Sequence, residues 1–107
     1  MPEDITRGSG NVFEDLGFID AAEHQAKADL ALQIIQVIEK RGLTQKEASK
    51  LIGAAQPDIS KLKSGHLKGF TLDRLLSFLL KLDRNVQIHV IKPTSKKKQG
   101  LLETVMA

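Results

Sequence analysis

The spacing of apolar residues along the chain predicts a protein built mainly from helices. Between Asp20 and Arg41 the apolar residues recur every three or four positions, which places them on one face of a long helix. Gly42 follows this run, and a glycine just beyond a helix is typical of its C-terminal end. The predicted apolar face consists of Ala22, Ala26, Leu30, Ile34, Val37 and Ile38.

A second, shorter helix is predicted to begin after Thr44. Thr44 and Glu47 have the spacing of a capping box, in which each side chain accepts a hydrogen bond from the backbone N–H of the other residue. Apolar positions continue to Ile52. Gly53 then supplies the turn conformation that residues with a Cβ avoid, so we expect the helix to end there.

Two more helices are predicted over residues 56–63 and 72–82. Pro57 is compatible with the first turn of the earlier one, because the N–H groups there have no partner within a helix. Ala55 stands where a capping serine or threonine is more usual, which predicts a weaker start of that helix. Thr71 is placed to cap the later helix, whose leucines form a broad apolar face.

The periodicity changes to two after residue 85, which predicts a strand. Val86, Ile88 and Val90 alternate with Gln87, His89 and Ile91. A lone strand leaves backbone N–H and C=O groups unpaired. The simplest partner is the same strand of a second copy, antiparallel across a two-fold axis, and the rival partner is the segment Val12–Ile19. The predicted dimerisation residues are Val86, Ile88 and Val90.

The composition fits one globular domain with an aliphatic core. The chain has 107 residues, of which 41% are hydrophobic and only 4% aromatic. It has no cysteine, which excludes disulfides and thiolate zinc sites and fits a reducing compartment. No apolar run approaches the roughly 20 residues that a membrane span needs, and the N-terminus lacks the pattern of a signal peptide. We therefore expect a cytoplasmic protein with no membrane partner.

Charge is distributed unevenly along the chain. Residues 1–23 hold six acidic residues and one basic residue, a net charge of −5, whereas residues 24–107 hold fifteen basic and seven acidic residues, a net charge of +8. We expect an acidic, partly disordered N-terminal arm over residues 1–20, a folded domain over residues 21–92 and a basic flexible tail over residues 93–107. The arm contains four apolar residues that either pack on the domain or bind another molecule: Phe13, Leu16, Phe18 and Ile19.

Two short helices joined by a glycine turn, in a basic body, are the layout of a helix-turn-helix. Gln45 begins the first of these helices and Gln56 begins the second. In such units the first N-terminus faces a phosphate and the second helix enters the major groove of double-stranded DNA. Gln56 is the favoured base reader, because glutamine can form two hydrogen bonds with an adenine edge. The predicted DNA-binding residues are Gln45, Lys46, Gln56, Pro57, Asp58, Ser60, Lys61 and Lys63.

Individual roles within this set follow from side-chain chemistry. Lys61 and Lys63 are expected to contact phosphates, which position the protein without reading sequence. Asp58 either accepts a hydrogen bond from a cytosine amino group or favours the positive end of the helix dipole. Lys50 and Arg74 are interpreted as ordinary solvated surface charges.

The order of these motifs resembles a known family. The stretch from Leu43 to Gly65 is similar to the phage-repressor type (XRE/Cro) of helix-turn-helix. Over about residues 10–92 the wider pattern resembles the HigA-like antitoxins of type II toxin–antitoxin pairs, through NVFEDLG at 11–17, FTLDRLL at 70–76 and the alternating residues 86–90. The resemblance implies a mainly α domain of four to five helices with one C-terminal β-strand that pairs across a dimer.

The same resemblance implies a partner as well as a fold. It implies a homodimer that represses its own operon by binding operator DNA and neutralises a small RNA-cleaving toxin of the RelE/HigB type. The four apolar residues of the arm would then form the toxin-binding surface. Two alternatives stay open: a stand-alone phage-type repressor without a toxin, and a protein-interaction module that no longer binds DNA.

An enzymatic function has almost no support in the sequence. The three histidines are far apart and none has a partner at metal-ligand spacing. The chain has no nucleophile elbow, no phosphate-binding loop and no paired-carboxylate signature. We therefore predict no catalytic residues, no metal and no cofactor.

Overall fold

The backbone forms four α-helices joined by short loops. The computed structural model describes residues 11–92 and 100–106, with side chains from residue 20 onward. The helices are α1 (Asn11–Lys40), α2 (Gln45–Ile52), α3 (Gln56–Ser64) and α4 (Leu72–Lys81). The prediction of a mainly helical chain is confirmed. No helix within the described residues combines the length and apolar character that a membrane span requires.

Helix α1 is longer than the sequence pattern indicated. It begins at Asn11 rather than at Asp20, so residues 11–19 continue the long helix instead of lying apart from it. Gly17 is a poor helix former, because glycine inside a helix is about 1 kcal/mol less favourable than alanine. This residue interrupts the helical pattern in the sequence, but a helix of 30 residues tolerates it. Residues 1–10 and 93–99, which belong to the predicted disordered arm and flexible tail, lie outside the described residues.

One compact unit, Lys27–Lys92, contains the hydrophobic core and the three shorter helices. A separate unit comprises Met1–Ala26 and Pro93–Ala107. Within it, residues 100–106 have no regular secondary structure. Within the larger unit, α2 packs against both α3 and α4. The largest fully buried side chains are Ile34, Ile52, Ile59, Leu75 and Leu82.

The predicted apolar face of α1 is nearly all buried. Ala26, Leu30, Ile34, Val37 and Ile38 are buried, whereas Ala22 is only half-buried.

The capping box at the start of α2 is confirmed. The backbone N–H of Thr44 donates to Glu47 Oε1 over 2.9 Å, and the backbone N–H of Glu47 donates to Thr44 Oγ1 over 3.0 Å. Both bonds satisfy N–H groups that have no partner within the helix. The hydrogen bond that the Glu47 carboxylate accepts from the Thr44 backbone N–H, followed by its interaction with the Thr44 hydroxyl, holds the pKa of Glu47 below its ordinary value.

Replacing Thr44 with alanine is expected to lower the free energy of unfolding by about 1 kcal/mol, because the cap hydroxyl is the acceptor for the Glu47 N–H. Urea unfolding followed by circular dichroism measures the change. Thr44→Ser is the matched control, since it keeps the hydroxyl and should stay within about 0.5 kcal/mol of the parent. Equal losses for both variants would show that the methyl group, and not the cap, stabilises this end.

All four helices are followed by a left-handed residue, which after α2 is Gly53. Gly42 and Gly65 follow α1 and α3 with φ values of +66° and +80°, so the predicted ending of α1 is confirmed. At the end of α4 the left-handed residue is Asp83, with φ at 63°. The N–H groups of Asp83 and Arg84 donate to Leu80 O and Leu79 O, at 3.1 and 3.0 Å, which satisfies the last carbonyls of the helix.

The expected C-terminal strand is absent from the single chain. Residues 85–92 have no regular secondary structure, and Ile88, Val90 and Ile91 are 78%, 96% and 79% exposed. Val86 alone packs against the core. The rival pairing with Val12–Ile19 is wrong, because those residues are helical in α1. A strand requires hydrogen bonds to a neighbouring strand, and the described residues offer none that residues 85–92 could pair with.

Candidate nucleic-acid interface

The turn between α2 and α3 is fixed by Ser49, Gly53 and Ala54. Gly53 has φ at +72° and donates its N–H to Ser49 O over 2.9 Å. The Ala54 N–H reaches the same carbonyl over 3.1 Å, and the Ser49 hydroxyl donates back to Ala54 O. These reciprocal bonds set the angle at which the second helix leaves the turn.

Apolar side chains hold α3 against the rest of the unit. Ala48 and Ile52 on α2 and Ile59 and Leu62 on α3 are all buried. Lys81 of α4 adds a polar contact at the end of α2, where its Nζ donates to Ile52 O over 3.3 Å. A cation there also complements the negative end of the helix dipole. The burial of Ile52, Ile59 and Leu62 therefore secures α3 against α2.

A hydrogen bond links the start of α2 to α3. Gln45 and Gln56 are the first residues of α2 and α3, and both are exposed. Ser60, one turn into α3, donates its hydroxyl to Gln45 Oε1 over 3.4 Å. This contact leaves Gln45 Nε2 to act as a donor, as a phosphate contact requires.

Most of the predicted DNA-binding residues are exposed to solvent. The exposed members are Gln45, Lys46, Gln56, Pro57, Ser60, Lys61 and Lys63. Asp58 is the exception and is half-buried. Between residues 45 and 68 there are five lysines and two acidic residues, a net charge of +3. Exposed cations of this kind attract a phosphate backbone.

The start of α3 has no side-chain cap, as the sequence predicted. Ala55 has the extended conformation of a capping residue but provides no acceptor. Pro57 has no N–H to satisfy, and the Asp58 N–H donates to Ala55 O over 2.9 Å. The loss of stability from having alanine at the capping position is therefore smaller than it would be if these backbone groups had no partner.

Asp58 is bound by a residue that the sequence analysis treated as an ordinary surface charge. Arg74 of α4 donates from Nη2 to Asp58 Oδ2 over 2.9 Å. Its guanidinium lies over the rings of Phe70 and Phe78, 5.0 and 5.3 Å from their centroids. The two residues are 16 positions apart on different helices, so no local pattern could have predicted the pair.

A small polar network at the end of α3 was also missed. The Ser64 hydroxyl lies 2.9 Å from Ser60 O and 2.7 Å from His66 Nδ1. A hydroxyl has one proton. When the Ser64 hydroxyl donates to Ser60 O, the bond to His66 requires a proton on His66 Nδ1, which then donates to the Ser64 oxygen. His66 is exposed.

The remaining predicted site residues lie away from this region or outside the described side chains. Phe13, Leu16, Phe18 and Ile19 belong to the first turns of α1, and the structure describes their backbone only. Among the described residues, no group of three or more acidic or histidine side chains could hold a metal ion.

Comparisons with known proteins identify the family. The family described as helix-turn-helix domain matches residues 12–91. A solved structure assigned to the XRE family of transcriptional regulators is 34% identical to this chain, with a TM-score of 0.76. The alignment covers 82% of this chain and 99% of the other. Among curated proteins, none matches. In this chain the helix-turn-helix consists of α2, the turn at Gly53 and α3. The chain belongs to the XRE-type helix-turn-helix family.

Proposed function

We propose that this protein is a sequence-specific transcriptional regulator that binds double-stranded operator DNA through α3. The observation that carries the proposal is the exposed pair Gln45 and Gln56 at the starts of α2 and α3, with Gln45 also bonded to Ser60 of α3. A helix-turn-helix places these two positions against a phosphate and a base edge. Regulators of this family share the fold of the chain.

The proposed DNA contacts divide into those that position the protein on the duplex and those that read its sequence. Gln45 donates from its amide to a phosphate at the edge of the groove. Lys61 and Lys63 neutralise phosphates, which contributes affinity that is independent of sequence and weakens with salt. Gln56 enters the major groove and forms two hydrogen bonds with an adenine. Ser60 supports Gln45 and lies on the same helix as the base reader.

Selection from a random pool of duplexes, followed by fluorescence anisotropy on the winning sequence, tests this proposal. We expect enrichment of one motif and an affinity that falls steeply between low and high salt, since each neutralised phosphate contributes a slope of about −0.9 in log–log form. Failure to enrich any motif, together with salt-insensitive or absent binding, would favour a protein-interaction module instead.

The proposal includes a homodimer that pairs residues 85–92 of two copies. Val86 anchors this segment to the core, while Ile88 and Val90 are largely exposed. Antiparallel pairing across a two-fold axis would satisfy the backbone groups of both copies and cover these apolar side chains. A dimer would also place two copies of α3 on two half-sites about one helical turn apart, which predicts a palindromic operator.

Ile88→Asp is expected to shift the protein from dimer to monomer, because it places a charge on the apolar face of the paired segment, beside Val86 and Val90. Sedimentation velocity at micromolar concentration measures the change. His89→Asp is the matched control, since it introduces the same side chain one position away, on the opposite face of a strand. A parent protein that sediments as a monomer, or two variants with equal effect, would contradict the pairing.

We further propose an antitoxin function, in which α1 contributes to binding of a small basic toxin. The support is the net charge of −5 over residues 1–23, the four apolar residues within them and the sequence resemblance to HigA-like antitoxins. Opposite charge would steer the encounter and apolar anchors would supply affinity. Co-expression of the full chain with small basic proteins encoded beside it tests this function.

Leu16→Asp should abolish co-purification of such a toxin, whereas Leu32→Asp, at an exposed position of the same helix, should not. If no neighbouring basic protein co-purifies with the parent chain, the stand-alone repressor is the better account.

A further inference from the structure

We propose that Arg74 is a positioning residue for DNA binding, which acts by neutralising Asp58 at the start of α3; this proposal rests on the proposed function. Arg74 belongs to α4 and has no place among the residues that the helix-turn-helix pattern assigns to DNA. It nevertheless contacts the reading helix directly, through the 2.9 Å bond from Nη2 to Asp58 Oδ2.

Arg74 is restrained at its backbone and at its guanidinium. The backbone N–H of Arg74 donates to Thr71 Oγ1 over 3.1 Å, which fixes the first turn of α4. The rings of Phe70 and Phe78 lie beneath the guanidinium, and both are buried. These rings pack edge to face, with centroids 6.3 Å apart. An arginine held against two fixed rings has little freedom to turn, and its Nη2 donates to Asp58.

The charge of Asp58 would oppose DNA binding if it were uncompensated. Asp58 is the third residue of α3, two positions after Gln56 and three before Lys61. A free carboxylate there would repel the phosphates that flank the groove. Paired with Arg74, its side chain is only 22% exposed and its charge is balanced. The same pair restrains the first turn of α3, which otherwise has no side-chain cap.

A direct phosphate contact by Arg74 is the competing role. The side chain is 40% exposed, and a guanidinium has five N–H donors, so it could bind Asp58 and a phosphate together. The two roles differ in what happens when Asp58 is also replaced. Removing the acid restores affinity if Arg74 acts by neutralising it, and restores nothing if Arg74 binds the DNA.

The experiment measures the dissociation constant for the selected duplex with the full chain, Arg74→Ala, Asp58→Asn and the double variant. We expect Arg74→Ala to lower the affinity about tenfold. Asp58→Asn leaves Arg74 in place and removes a carboxylate that repels phosphates, so it should raise the affinity by up to about threefold, whereas a loss of affinity would assign Asp58 a base contact instead. The double variant should return to within about threefold of the parent. Arg84→Ala removes a positive charge from an exposed arginine just beyond α4 and serves as the control, with an expected change below about twofold.

Binding is measured well below the unfolding midpoint of each variant, so that only folded protein is compared. A pair with a purely structural role would move that midpoint and leave the affinity of the folded protein unchanged, which would overturn the proposal. If Arg74→Ala does not fold, Arg74→Gln replaces it with the same expectation. A double variant as weak as Arg74→Ala, with a salt slope smaller by about 0.9, would also overturn it in favour of a phosphate contact. If the parent binds no duplex at all, the proposed function itself fails, which the first measurement reveals.

Discussion

Leu75→Ala is expected to lower the free energy of unfolding by about 3 kcal/mol, the largest effect we predict for any single substitution. Leu75 is completely buried on α4, in the same core as Ile34, Ile52 and Ile59. Alanine would leave a cavity, because α4 is already held at its start by Thr71 and at its end by a left-handed turn and cannot move in to fill it.

Thermal unfolding followed by circular dichroism measures this loss. For a folded unit of this size, about 3 kcal/mol corresponds to a decrease in Tm of roughly 15 °C. Leu80→Ala is the matched control on the same helix, because Leu80 is 57% exposed and its truncation should cost less than about 1 kcal/mol. If the two variants unfold together, α4 does not pack on the core in the way described.

Gln56→Ala should weaken binding to the preferred operator by roughly 10- to 100-fold and leave non-specific binding almost unchanged. A bidentate glutamine–adenine contact discriminates against other bases by about 1–3 kcal/mol, and alanine removes both hydrogen bonds. Gln56 is exposed at the first position of α3, so the substitution should not affect folding.

Anisotropy titrations on the selected operator, and on the same duplex with its candidate adenine replaced, measure this effect. The parent should lose affinity for the altered duplex, whereas Gln56→Ala should bind the two duplexes equally. Gln36→Ala, at an exposed position of α1, controls for the loss of a glutamine and should behave as the parent does. An operator preference that survives in Gln56→Ala would show that another residue reads the base.

The local elements of this fold were accessible from the sequence because their signals are local. The capping box of Thr44 and Glu47 and the glycine after α1 each involve residues only a few positions apart. The sequence therefore predicted α2 in full and placed the start of α3 correctly. Asp83 was not foreseen as a left-handed residue, because aspartate adopts that conformation only occasionally.

Features that depend on distant residues were not accessible. Arg74 was interpreted as a solvated charge, whereas it binds Asp58 and lies over two aromatic rings. Residues 85–92 have the alternation of a strand, yet a strand forms only when another strand pairs with it. The early start of α1 was hidden because Gly17 interrupts the apolar pattern.

The hydrogen bond between Ser60 and Gln45 has a consequence for how new binding specificities could arise. It couples Gln45, which we propose faces a phosphate, with the helix that we propose reads bases. A substitution at Gln45 or at Ser60 is therefore expected to change the orientation of the other side chain. Libraries that vary one position at a time would score many useful substitutions as losses, since the partner residue is left unadjusted. Randomising Gln45 and Ser60 together should recover operator variants that neither single library contains, and evolutionary drift between operators would be expected to proceed through paired changes at these two positions.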